Sequence, residues 1–123
     1  IYEDFKIRVE EAKIALLDFL KEAKQNNKSV YGLGASTKGN VLLQYFEIKE
    51  NLITKIGEVN EDKFGKFTPG SLIPLISEED LLNLNPDYLV VLPWHFRPFF
   101  ENLPSLKGHS LVYPLPKFEI SNL

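Results

Sequence analysis

VYGLGASTKGN, Val30 to Asn40, is the stretch on which the reading of this chain turns. An apolar run, Val30 to Leu33, leads through two glycines into Ser36 and Thr37, residue types that cap helices. That composition dictates a buried strand, a tight turn and a helix start. Gly32 and Gly34 have the G-x-G spacing of a dinucleotide-binding turn. There, backbone N–H groups and the positive end of the helix dipole hold phosphate. The third glycine of that motif would fall at position 37, where Thr37 stands, and glycine returns only at Gly39. A Walker loop fails too, because Asn40 and Val41 occupy the places of its Lys and Ser/Thr. What remains is a candidate anion cradle: Gly32, Gly34, Ala35, Ser36, Thr37, Lys38 and Gly39, offering hydroxyls, an ammonium and free amides. The competing reading is structural, with the glycines allowing the turn and Ser36 or Thr37 serving as N-cap.

Upstream, EDFKIRVEEAKIALLDFLKEAKQNN is helical by period. Phe5, Val9, Ala12, Leu16, Phe19 and Ala23 recur every three or four residues, and Asn26 and Asn27 suit the helix end. Downstream, KGNVLLQYFEI predicts a second helix with Val41, Leu42, Tyr45 and Phe46 on or near one face. ITKIGEVN predicts a strand ending in the polar residues Glu58 and Asn60, and NEDKFGKFTPG a turn-rich loop. SLIPLI reads as a short extended segment weakened by Pro74. Ser77 before EEDLLNL is a capping signal for a third helix. DYLVVLP is apolar throughout, as a strand covered on both faces would be. WHFRPFFENL predicts a short helix broken near Pro98, and HSLVYPLP a final strand before a mixed tail. Strands alternating with helices specify an α/β domain with a mostly parallel sheet, a Rossmann-like three-layer fold with an N-terminal helix. Residues 1–123 read as one such domain.

The bulk properties narrow the functions. With 123 residues, of which 44% are hydrophobic, a core can be buried without staples. There is no cysteine, which removes disulfides and thiolate metal sites and suits a reducing cytoplasm. Two distant histidines, His95 and His109, are too few for a metal set. No apolar run approaches the ~20 residues that span a bilayer. A net charge of −3 argues against nucleic acid as a partner. Without methionine, the chain reads as a domain cut from a longer protein.

Two further groups join the candidate site. Glu58 follows Gly34 by 24 positions, near where an acid meets ribose hydroxyls, with Asn60 beside it. LPWHFRP lies just beyond the strongest strand, on the edge where open parallel sheets bind ligands. Trp94 suits stacking on a base or sugar, Arg97 pairing with phosphate, and His95 general-base work. Each has a plainer use: Trp94 in packing, Arg97 on the surface, His95 and Glu58 as ordinary polar groups.

VYGLGASTKGNVLLQYF, NEDKFGKFTPGSLIPLIS and PDYLVVLPWHFR together resemble the C-terminal domain of sugar C-methyltransferases. Members of that family transfer methyl from S-adenosylmethionine to a carbon of a nucleotide-linked deoxysugar. The resemblance implies that a zinc-binding domain and a central methyltransferase domain precede this one and hold the zinc and the S-adenosylmethionine. This domain then has no cofactor of its own, and its partners are the nucleotide-linked deoxysugar and the central domain. By the same resemblance, the loop with Ser36 and Lys38 faces the phosphates, and Trp94, His95 and Arg97 lie in the same cleft. The family has aspartate where this chain has Glu58, which keeps the charge and lengthens the reach. Two alternatives stand beside this reading. One is an NAD(P)-binding module. The other is a non-catalytic interaction or scaffold domain that docks through Phe96, Phe99 and Phe100.

Overall fold

The computed structural model describes residues 2–123. Helix α1, Tyr2–Gln25, buries Ala12, Leu16, Leu20 and Ala23 along one stripe, with Leu16 completely enclosed. It ends where Asn27 takes the left-handed conformation, φ 58°. Phe5 continues the same stripe yet is 60% exposed. Length explains this. A helix of 24 residues runs about 36 Å, whereas a four-residue strand reaches about 13 Å. The first turns of α1 therefore overhang the sheet.

Six strands make that sheet: β1 (Val30–Leu33), β2 (Ile56–Glu58), β3 (Leu75–Ser77), β4 (Tyr88–Val91), β5 (Ser110–Tyr113) and β6 (Glu119–Asn122). Their order is β3-β2-β1-β4-β5-β6, with β1 to β5 parallel and β6 antiparallel to β5. This is the strand order of the doubly wound dinucleotide folds, and the direction of winding reverses between β1 and β4. Helix α2, Thr37–Tyr45, shares one face with α1, packing on Val30, Val90 and Val112. Helices α3, Glu78–Asn83, and α4, Arg97–Glu101, cover the other, over Leu33, Leu89, Val91 and Leu111. Alternation of side chains across β1, β4 and β5 thus feeds two cores, and the α/β three-layer expectation is met. Ser77 caps α3, its Oγ accepting from the Asp80 N–H at 3.0 Å.

Three local expectations need correction. The tail is a strand, β6, in which Ser121 pairs with Leu111 and Ile120 with Val112. Its polar, largely exposed side chains conceal it, because only the backbone edge of β5 calls for it. On α2, Leu42, Leu43 and Phe46 are buried, but Val41 and Tyr45 are 62% and 51% exposed. Gly39 sets that rotation: a Cβ there would lie 2.7 Å from the Leu92 Cβ, so the 39–42–43–46 face must turn inward. Pro98 does not break a helix. It stands in the first turn of α4, where its missing N–H costs nothing, after a 3-10 turn over Trp94–Phe96.

Candidate ligand-binding edge

The loop after β1 is shaped by its neighbour across the switch point. Gly34 has φ +80°, and a Cβ there would sit 2.9 Å from the Pro93 Cγ, so glycine alone lets the two connections pass. Its N–H donates to the Gly57 carbonyl at 2.9 Å. Ser36 is the N-cap of α2, its Oγ accepting from the Gly39 N–H at 3.0 Å. Thr37 and Lys38, exposed in the first turn, have no intrahelical acceptor for their amides. These are the loop's open donors.

Glu58 is used differently from its expected role. It is 7% exposed. Its Oε2 accepts from the Ala35 N–H at 3.0 Å, and its Oε1 from the Val59 and Asn60 N–H groups at 3.1 Å each. Three backbone donors hold the carboxylate against the loop, so it braces the turn instead of reaching out for a ribose. Asn60 is likewise engaged locally: its Oδ1 caps the 3-10 turn Glu61–Lys63, accepting from the Asp62 N–H at 3.1 Å. The corner is rich in negative charge. Burial raises the Glu78 carboxyl above its ordinary value, and the charge of Glu58 raises it further.

The segment after β4 meets this loop through Pro93. Trp94 is half-buried and packs on both cores. His95 is exposed, its ring 5.8 Å from that of Trp94 and 4.2 Å from that of Phe96. Phe96 and Phe99 are exposed, but Phe100, read as a third docking residue, is buried beneath α4.

Arg97 is not directed at the loop. Its Nε donates to Glu101 Oε2 at 2.8 Å, its Nη1 lies 3.5 Å from Glu119 Oε1, and its guanidinium stacks 4.2 Å from the Tyr113 ring centre. These contacts make a cluster that ties α4 to β5 and β6. Hydrogen bonding to Glu101 raises Arg97 above its ordinary value. Burial pulls the Glu101 carboxyl upward, but hydrogen bonds, led by that from Arg97, overcome this and hold it below the usual carboxylate range. Burial, and then Glu101, push the Tyr113 hydroxyl well up.

One feature of this edge has no sequence motif. Beneath the overhang of α1 is a cavity of about 470 Å³, lined by Phe5, Arg8, Val9, Trp94, Leu115, Pro116 and Lys117. Arg8, Pro116 and Lys117 also line a neighbouring cavity of about 370 Å³, bounded by Glu11, Ala12, Ala15 and Phe118. Both fall in the range of small-molecule sites, about 300–1,000 Å³. A cavity of about 560 Å³ lies at the far end of α2, around Gln44 and Gly70, away from the carboxyl ends of the strands. The usable sequence signal for the groove was the excess of helix length over strand length.

A family model described as C-methyltransferase C-terminal domain matches residues 1–116. The chain belongs to that family. "C-methyltransferase NovU" of Streptomyces niveus is 30% identical over 124 residues, an alignment covering 94% of this chain and 28% of the relative. The chain thus spans little more than a quarter of that relative's length. As a C-methyltransferase C-terminal domain, it matches the family that its glycine loop, its Pro69-Gly70 segment and its β4 segment resemble. Lys117, Phe118 and all of β6 lie beyond the matched stretch.

Proposed function

We propose that this domain binds the nucleotide-linked deoxysugar of a sugar C-methyltransferase that works in the cytoplasm. It presents that substrate to a central methyltransferase domain of the same enzyme. The family match over residues 1–116 carries the reading. The sheet order supports it, since the switch point between β1 and β4 is where such folds take nucleotides.

The residues of this domain do not fit S-adenosylmethionine or a dinucleotide. Glu58, the acid in position to meet a ribose, is buried and accepts three backbone N–H groups. Thr37 stands where the third glycine belongs. The resemblance to sugar C-methyltransferases implies that the methyl donor is held by a central domain and zinc by an N-terminal domain of a longer enzyme. The open amides of Thr37 and Lys38, the Lys38 ammonium, Trp94 and the exposed His95 are the groups available to a substrate. His95 has the chemistry to exchange a proton with a keto sugar. Its role is to be tested by replacement with glutamine in the whole enzyme.

Calorimetric titration of this chain with a dTDP-linked deoxysugar, S-adenosylmethionine and NAD tests the reading. The deoxysugar nucleotide is expected to bind and the other two to give no heat. Binding of NAD in preference to the sugar nucleotide would sink it.

A further inference from the structure

The groove beneath α1 has the chemistry of an anion site, and the glycine loop has lost part of it. Among the described residues, every ion pair involves Arg97, so Arg8 and Lys117 stand at the groove with no acid in ion-pair reach. They flank an apolar interior formed by Phe5, Val9, Trp94 and Pro116. Two unpaired cations beside two aromatic rings suit a ligand with a flat apolar part joined to a compact negative charge. Glu11, on the wall of the adjoining cavity, limits how far that charge can extend away from Trp94.

Topology places the groove where a ligand is expected. Trp94 follows β4, and Pro116 and Lys117 follow β5, so the groove opens at the carboxyl ends of two parallel strands. At the loop, by contrast, the Ala35 N–H already serves Glu58, and that buried carboxylate repels a second anion at the same amides.

We infer that the groove between α1 and the Leu115–Phe118 turn holds the nucleoside diphosphate of the substrate. Arg8 and Lys117 meet the phosphates, and Trp94 and Phe5 face the base. The inference rests on the nucleotide-sugar reading above and moves its anchor from the glycine loop to the overhang.

Trp94 is the sole tryptophan, so its fluorescence reports the groove directly. The experiment titrates the 123-residue chain with dTDP, following Trp94 emission and backbone amide shifts. The parent chain, the Arg8→Ala/Lys117→Ala double variant and Lys38→Ala are compared. The expected result is a saturable change in Trp94 emission, shifts at residues 5–9 and 115–118, and at least tenfold weaker binding in the double variant. Lys38→Ala is expected to weaken binding less than the double variant does. Shifts confined to Ser36–Gly39, with binding lost in Lys38→Ala and kept in the double variant, would overturn the groove and leave the nucleotide-sugar reading standing. Silence from both segments at millimolar dTDP would remove both.

Discussion

The glycine loop and the α1 groove lie on one edge of one sheet and are built in opposite ways. The loop has the recognisable motif, and most of its polar groups are satisfied from within: Glu58 holds Ala35, Ser36 holds Gly39, and Gly57 holds Gly34. The groove has no motif, and among the described residues its two cations, Arg8 and Lys117, have no ion-pair partner. A spacing of glycines records how a backbone must turn. The capacity to bind resides in groups that folding leaves unsatisfied. In this domain the glycines of the turn and the cations of the groove lie at separate places on the edge.

The sharpest way to break that contrast is to remove the brace. Glu58→Ala leaves three backbone donors without their acceptor, and each such loss typically costs about 1–3 kcal/mol. Urea unfolding should show a total loss of about 4 kcal/mol. A variant of parental stability that fails to bind nucleotide would return Glu58 to the ligand side of the comparison.

Gly34→Ala comes next. It combines a positive φ with a Cβ 2.9 Å from Pro93, and a loss of about 3 kcal/mol is expected from strain and overpacking together. Thermal melts read it, and an unchanged midpoint would mean that the turn has room to relax.

The Arg97 cluster gives a smaller, pH-dependent effect. The folded-state carboxyl of Glu101 lies below its ordinary value of 4.5. Ionised Glu101 therefore stabilises the chain above that value, and its contribution is lost as pH falls through the lower, folded-state value. Glu101→Gln should cost about 1 kcal/mol or less at neutral pH, the range of solvent-screened pairs. Its deficit should close as the parent is acidified, which stability measured across the acid range would detect. A constant deficit would assign the loss to packing.

The smallest effect is the most telling for the groove. Arg8→Ala/Lys117→Ala removes charges that touch no acid, and stability should stay within about 0.5 kcal/mol of the parent. A larger loss would show that the groove, like the loop, is braced from within.

The alternation of strand and helix, the cap at Ser77, a cap at Ser36 or Thr37 and a helix end at Asn26 or Asn27 were all legible in the sequence, because period and local hydrogen bonding decide them; the structure selects Ser36 and Asn27. What escaped was set by distant partners. A carboxylate at a strand end looks the same in sequence whether it faces a ribose or, like Glu58, three amides of its own fold. Arg97 follows the β4 edge in sequence, but its acids come from one turn further along α4 and from β6. Strand β6 itself, Glu-Ile-Ser-Asn, has too little apolar alternation to announce a strand. The groove arises from a mismatch between two lengths, and no single residue signals it.

That last strand bears on how the domain keeps its own company. β5 is apolar on both faces, and β6 covers the hydrogen-bonding edge that β5 would otherwise present to solvent. The family match ends at Pro116, before β6 begins. A domain trimmed to that boundary would keep its cores and lose its selvage. The bare edge of β5 would then be free to recruit the matching strand of another copy, a route to aggregation.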